Sequence, residues 1–222
     1  MKIKYSGVMH ITFMVAFPLF GFTPRPQSIN IQDEIRNNRA NVINREVTFI
    51  NDKGYEGIHL NRAYEDGIVW LKDFEFTNGT IEFDVRGEDI KQHSFVGIAF
   101  HGNDTTTFES IYLRPFNFKA TEDPWKSRSI QYIARPTYTW QALRANFPDK
   151  FENDITPVLE PNAWIHMKVV VNESLVTVFV NNRKEPCLEV ESLGSRKTGS
   201  VGFYVADTSG GDFANLKITK TE

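Results

Sequence analysis

The chain has 222 residues, 41% of them hydrophobic and 13% aromatic, which is enough for one large packed domain. Twenty-five basic and 28 acidic side chains give a formal charge of −3, which speaks against nucleic acid as a partner, since such binding leans on a positive surface. The one cysteine, Cys187, excludes an intramolecular disulfide and argues against a thiolate-ligated zinc site.

The N-terminus reads as a secretory signal. Lys2 and Lys4 form a short basic region, and residues 8–22 are almost wholly apolar but too few to span a bilayer comfortably. A signal over 1–28, a polar lead-in over 29–46 and a β-sandwich domain over 47–222 are the expected divisions, with the mature protein secreted or periplasmic. Removing 1–28 takes away Lys2, Lys4 and Arg25 and no acids, so the formal charge moves to −6. No later segment is long and apolar enough to span a membrane once the signal is gone.

From Val47 onward the hydrophobic period is two, and short strands are predicted at 47–51, 57–60, 67–71, 79–86, 95–101, 110–116, 129–135, 164–171, 175–181, 188–191, 200–206 and 213–219. Asn78-Gly79, His101-Gly102-Asn103-Asp104, Asn181-Asn182 and Ser209-Gly210-Gly211-Asp212 supply turns between them. A dozen strands with turns between them mean a double-layered or closed all-β architecture. The exception is 137–161. Thr139 to Arg144 has helix formers, while Pro148, Pro157 and Pro161 keep the rest irregular. Trp140, Phe147 and Phe151 argue for an ordered flap over one sheet.

Residues 93–118 are the most informative stretch. Val96, Ile98 and Phe100 alternate with Gly97, Ala99 and His101, so one face is greasy and the other nearly bare. The next run places Tyr112, Arg114 and Phe116 on one face, and an Arg between aromatics suits a hydroxyl-rich ligand such as a sugar. Gln131, Trp140 and Arg144 extend that set, with an aromatic face for ring C–H groups and polar heads for hydroxyls. His101 and Glu109 flank a polar turn and are placed to approach each other, a pairing that can serve as a general base. Asp104, Asp207 and Asp212, with loop carbonyls, are the hard oxygen donors that a structural calcium would use; no other cofactor is indicated.

Three pieces resemble the concanavalin A-like lectin/glucanase superfamily: GTIEFDVRG at 79–87, FVGIAFHG at 95–102 and GSVGFYVADTSGGDFANLKI at 199–218. Within it the run 47–220 is most similar to exported bacterial 3-keto-disaccharide hydrolase-like and laminin-G-like domains. The resemblance implies a jelly-roll sandwich of two curved antiparallel sheets, with carbohydrate met on the concave face. It also invites comparison with glucanases carrying Glu-x-Asp-x-(x)-Glu on one strand. Here Glu82 and Asp84 are present, but Arg86 or Gly87 stands where the third acid would be. Without that acid the leaving oxygen cannot be protonated, so the glucanase mechanism does not carry over. The expected function is therefore an exported carbohydrate-interacting domain. His101 and Glu109 are its catalytic candidates, Tyr112, Arg114, Gln131, Trp140 and Arg144 its ligand-binding candidates, and glycoside processing stays open. The alternative is a non-catalytic laminin-G-like protein-adhesion module.

Overall fold

The computed structural model describes residues 25–221 and Met1; the apolar run 8–22 of the expected signal lies outside the described residues. In chain order the strands are β1 (Gln27–Ile29), β2 (Ala40–Ile43), β3 (Val47–Asp52), β4 (Tyr55–Leu60), β5 (Gly67–Leu71), β6 (Asn78–Arg86), β7 (Val96–Gly102) and β8 (Glu109–Leu113). They continue with β9 (Ile130–Ala134), β10 (Glu152–Asn153), β11 (Ile165–Asn172), β12 (Leu175–Val180), β13 (Leu188–Glu191), β14 (Ser200–Val205) and β15 (Gly211–Thr221). Two short helices interrupt them, α1 (Ile31–Arg36) and α2 (Trp140–Asn146).

These strands form a jelly-roll sandwich of two antiparallel sheets. One sheet runs β13-β12-β11-β6-β15-β4-β3, with β1 added beside β15; the other runs β10-β9-β8-β7-β14-β5-β2. All twelve predicted strands are present, and the structure adds β1, β2 and β10. The polar stretch before Val47 is part of the sandwich, because β2 pairs with β5 from Ala40↔Leu71 to Ile43↔Ile68. Gln27 and Ser28 belong to β1, which pairs with β15.

The two sheets bury their faces differently. In β6 burial alternates, with Ile81, Phe83 and Val85 inward and Glu82, Asp84 and Arg86 at the solvated surface. Between the sheets Phe203 of β14 packs on Phe213 of β15 and Phe83 of β6, with ring centroids at 4.8 and 6.0 Å. Each such ring contributes about 1.5–3 kcal/mol by leaving water. In β7, β8, β9 and β14, by contrast, every residue is buried. Something other than the first sheet must therefore cover their outer face, and the loops around α2, Phe108 and Phe116 do so. This covered outer face holds the site.

Candidate functional site

Strand register decides which side chains share the outer face. Gly97, Tyr112, Gln131 and Tyr204 stand side by side across β7, β8, β9 and β14. Gly97 is required there, since a Cβ would lie 2.0 Å from the Ile111 carbonyl oxygen. Tyr204 and Tyr112 meet with ring centroids 5.9 Å apart, and Phe95 closes edge-on over Tyr112 at 6.0 Å.

Beyond Leu113 the chain leaves the strand for a 3-10 turn at Pro115–Asn117, so the predicted strand to Phe116 ends early. Arg114 is still aimed back over the sheet. Its Nη2 donates to the Tyr112 hydroxyl at 3.1 Å and to Gln131 Oε1 at 3.0 Å. Its Nη1 reaches Glu152 Oε2 and the Arg128 carbonyl, both at 3.3 Å. Gln131 spends its own amide on the Tyr132 and Phe151 carbonyls, so its oxygen is fixed toward Arg114. Burial lowers the Arg114 pKa and raises that of Tyr112.

The flap completes the cluster. Thr139 caps α2 by accepting from Ala142 N. Arg144, one turn on, stacks on the Trp140 ring at 4.7 Å from its centroid and grips Glu152. Arg128 Nε lies 3.4 Å from Glu152 Oε1, outside hydrogen-bond geometry, and has no other partner. Three guanidinium groups thus converge on one buried carboxylate.

The result is a groove of two compartments that share Gln92, Phe95 and Trp140. The first, about 320 Å³, is walled by Phe95, Phe116, Trp125 and Trp140 and floored by Arg114, Arg128 and Arg144. The second, about 370 Å³, is lined by Asp66, Arg135, Gln141, Tyr204 and Asp207. In the second, burial pushes the Asp66 carboxyl above the usual carboxylate range against the opposing pull of Arg135, 3.6 Å away. A larger hollow of about 630 Å³ opens beside Trp70, but its charges, Lys72, Asp73, Glu75 and Arg196, all sit on exposed chains without a buried group to fix them.

The five expected ligand-binding residues are all brought together here. Tyr112 and Arg114 are buried and line the floor, Gln131 is buried beneath Arg114 and holds it, and Arg144 and Trp140 reach the opening, Trp140 at 41% exposure. Sequence reasoning missed Glu152, Arg128, Phe95, Asp66 and Tyr204. Glu152 carries no local signal, because it meets Arg114 across 38 positions of chain.

His101 and Glu109 also meet, at 2.9 Å, but between the sheets and not in the groove. His101 has φ 54 at a bulge opposite Ser200–Val201, and this left-handed residue turns it away from the face of Gly97 and Ala99. It packs 5.8 Å from the buried Phe76, and both it and Glu109 are 1% exposed. Tyr132 donates to Glu109 Oε2 and accepts from Leu193 N at 2.7 Å. Burial works to raise the Glu109 carboxyl, but the hydrogen bonds from His101 and Tyr132 outweigh it and hold it below the usual range. Gly194 seals the pair, since a Cβ there would lie 2.4 Å from Glu109 Oε1.

Of the aspartates expected to offer calcium ligands, Asp104 caps its own turn at Thr106 and Thr107, Asp207 accepts from Glu65 N, and Asp212 pairs with His59 and Arg86. Among the described residues no three His, Cys, Asp or Glu side chains are grouped to hold a metal. No described helix is long and apolar enough to cross a membrane. Cys187 donates to the Val178 carbonyl, and burial pushes its thiol up to about 12.

No protein-family model matches the chain, and no curated protein matches it. Solved structures do. A carbohydrate-binding module, CBM66, from Bacillus subtilis superposes with a TM-score of 0.59 at 12% identity, over 81% of this chain and 95% of that one. A Bacillus subtilis protein of unknown function with a galectin-like fold gives 0.56 at 13% identity, over 88% and 94%. Domain 4 of AbnA, an extracellular arabinanase of Geobacillus stearothermophilus solved with arabinotriose, gives 0.52 at 12%, over 82% of each chain. At these identities the likeness establishes the fold.

Proposed function

We propose that this chain is an exported carbohydrate-binding domain that takes a glycan in the groove on the outer face of the seven-stranded sheet. The observation that carries this reading is the Trp140 indole, exposed at the junction of two compartments and backed on one face by Arg144. An aromatic ring beside fixed polar groups is what the apolar and hydroxyl faces of a sugar need together. The likeness to carbohydrate-binding and arabinotriose-bound domains supports the same reading. Export rests on Lys2, Lys4 and the apolar run that follows.

The proposed activity is binding, and the His101–Glu109 pair is structural, because both residues are 1% exposed between the sheets and neither lines the groove. One arrangement favours a second reading, glycoside processing: two carboxyl groups, Asp66 and Asp207, line the same compartment, and burial pushes that of Asp66 upward.

A glycan array followed by calorimetry on the hits tests both. Binding should weaken at least about tenfold in Trp140→Ala, about 1.4 kcal/mol, with stability nearly unchanged. Binding that is indifferent to Trp140 would remove the groove from consideration. A product assay on the same sugars decides the second reading, since turnover abolished by Asp66→Asn would establish it.

A further inference from the structure

The first compartment has a charge the groove reading does not require. Arg114, Arg128 and Arg144 line it, and no carboxylate does, because Glu152 lies behind them at 4% exposure. One carboxylate against three guanidinium groups leaves two positive charges uncompensated at the pocket floor. Lys91 adds a further cation at the rim, 4.9 Å from the Trp125 ring. All this occurs in a chain whose net charge is −3.

The donors are also incompletely used. Arg128 Nε is buried without a hydrogen-bond partner, although its guanidinium borders the cavity. A guanidinium fork matches a planar carboxylate or a sulfate with two parallel bonds, and such bonds strengthen where water is thinned by aromatic walls. Here the walls are Trp125, Trp140, Phe116 and Phe95. The second compartment differs: it holds Asp66 and Asp207 beside Arg135, so a second anion would be repelled there.

We propose that the Arg114–Arg128–Arg144 compartment binds an anionic sugar residue, its carboxylate or sulfate group set against the guanidinium floor, while a neutral residue of the same chain lies across Trp140 in the Asp66 compartment. The proposal rests on the glycan-binding reading and narrows its ligand to acidic polysaccharides in which charged and neutral units adjoin.

The test is an array that presents uronate-bearing, sialylated, sulfated and neutral glycans to the protein. Each hit is followed by calorimetry against the same oligosaccharide with its carboxyl groups reduced to alcohols. Acidic glycans should bind at least about tenfold more tightly than their reduced forms, and the advantage should shrink with added salt. Arg128→Gln should reduce that advantage severalfold, and because the side chain is not in the protein core its fold is expected to persist; the reduced ligands test the wild type regardless. Preference for sulfated over carboxylated chains, or the reverse, supports the proposal and identifies the anion. Neutral and reduced glycans that bind as tightly as acidic ones, and lose affinity in Trp140→Ala, overturn the charge assignment while leaving the groove intact. If no glycan of any class binds, both readings fall.

Discussion

Arg144 holds Glu152 in a two-pronged contact, Nε donating to Oε1 at 2.7 Å and Nη2 to Oε2 at 2.6 Å. This pair ties α2 to β10, and with Trp140 stacked on the same guanidinium it also fixes the indole at the mouth of the groove. Glu152 is thus the single counter-charge for a site assembled from β8, the segment before β9, the flap helix and β10.

Removing that counter-charge should cost more than removing Arg128. Glu152→Ala leaves three guanidinium groups facing one another and should destabilise the protein by about 3–5 kcal/mol. Arg128→Gln, at a partly exposed group that makes no hydrogen bond to Glu152, should cost about 1 kcal/mol or less. Urea denaturation of the two variants side by side checks the ordering.

Arg45 should matter for the loops at the other end of the groove. Its guanidinium donates to the carbonyls of Asn44, Tyr64, Glu65, Ala206 and Ser209, gathering the segments that carry Asp66 and Asp207. Gly67 makes room for it, because a Cβ would fall 2.4 Å from Arg45 Cγ. Arg45→Ala should lower stability by about 3–5 kcal/mol and raise amide exchange in both loops, read by hydrogen–deuterium exchange.

The buried Glu109 predicts a dependence on acid. Its carboxyl is held below the ordinary value of 4.5, so its stabilising contribution is full above that value and is lost as pH falls through the lower folded value. Glu109→Gln should cost about 1.5–3 kcal/mol at neutral pH, leave glycan affinity unchanged, and flatten the acid limb of a stability–pH curve.

His166 has the opposite sign. Its Nδ1 lies 2.8 Å from Asp84 Oδ1, and that hydrogen bond raises its pKa above 6.5 despite burial. The contribution is fully present below 6.5 and disappears as pH rises through the raised value. The stability gap between wild type and His166→Asn should therefore be widest in mild acid and close toward alkaline pH. NMR titration of the imidazole gives the folded value directly.

Period-two alternation made twelve strands readable: in β6 and β11 burial follows it residue by residue, as in Ile81, Phe83 and Val85, whereas β7, β8, β9 and β14 are buried on both faces and showed themselves by β-branched and aromatic content between turn signals. The strands that escaped are those held by partners: β10 has two residues, and β2 lies in a polar stretch that becomes a strand by pairing with β5. α1 depends on Asn30, whose side chain accepts from Gln32 N and Asp33 N, and it has only six residues in which to show a helical period. Tyr112, Arg114 and Gln131 could be grouped from composition and alternation. His101 could not be placed correctly, because a left-handed backbone at a bulge reverses the face that alternation assigns. The carboxylate that organises the arginines was invisible to spacing of any kind.

The pairing of β1 with β15 has a consequence for orientation. Gln27 lies against Ile218, so the two ends of the described chain leave from neighbouring strands of the eight-stranded sheet. The groove opens on the far side of the other sheet. Anything joined at either end of residues 25–221 therefore meets the sandwich through the eight-stranded sheet, the layer that does not carry the arginine pocket.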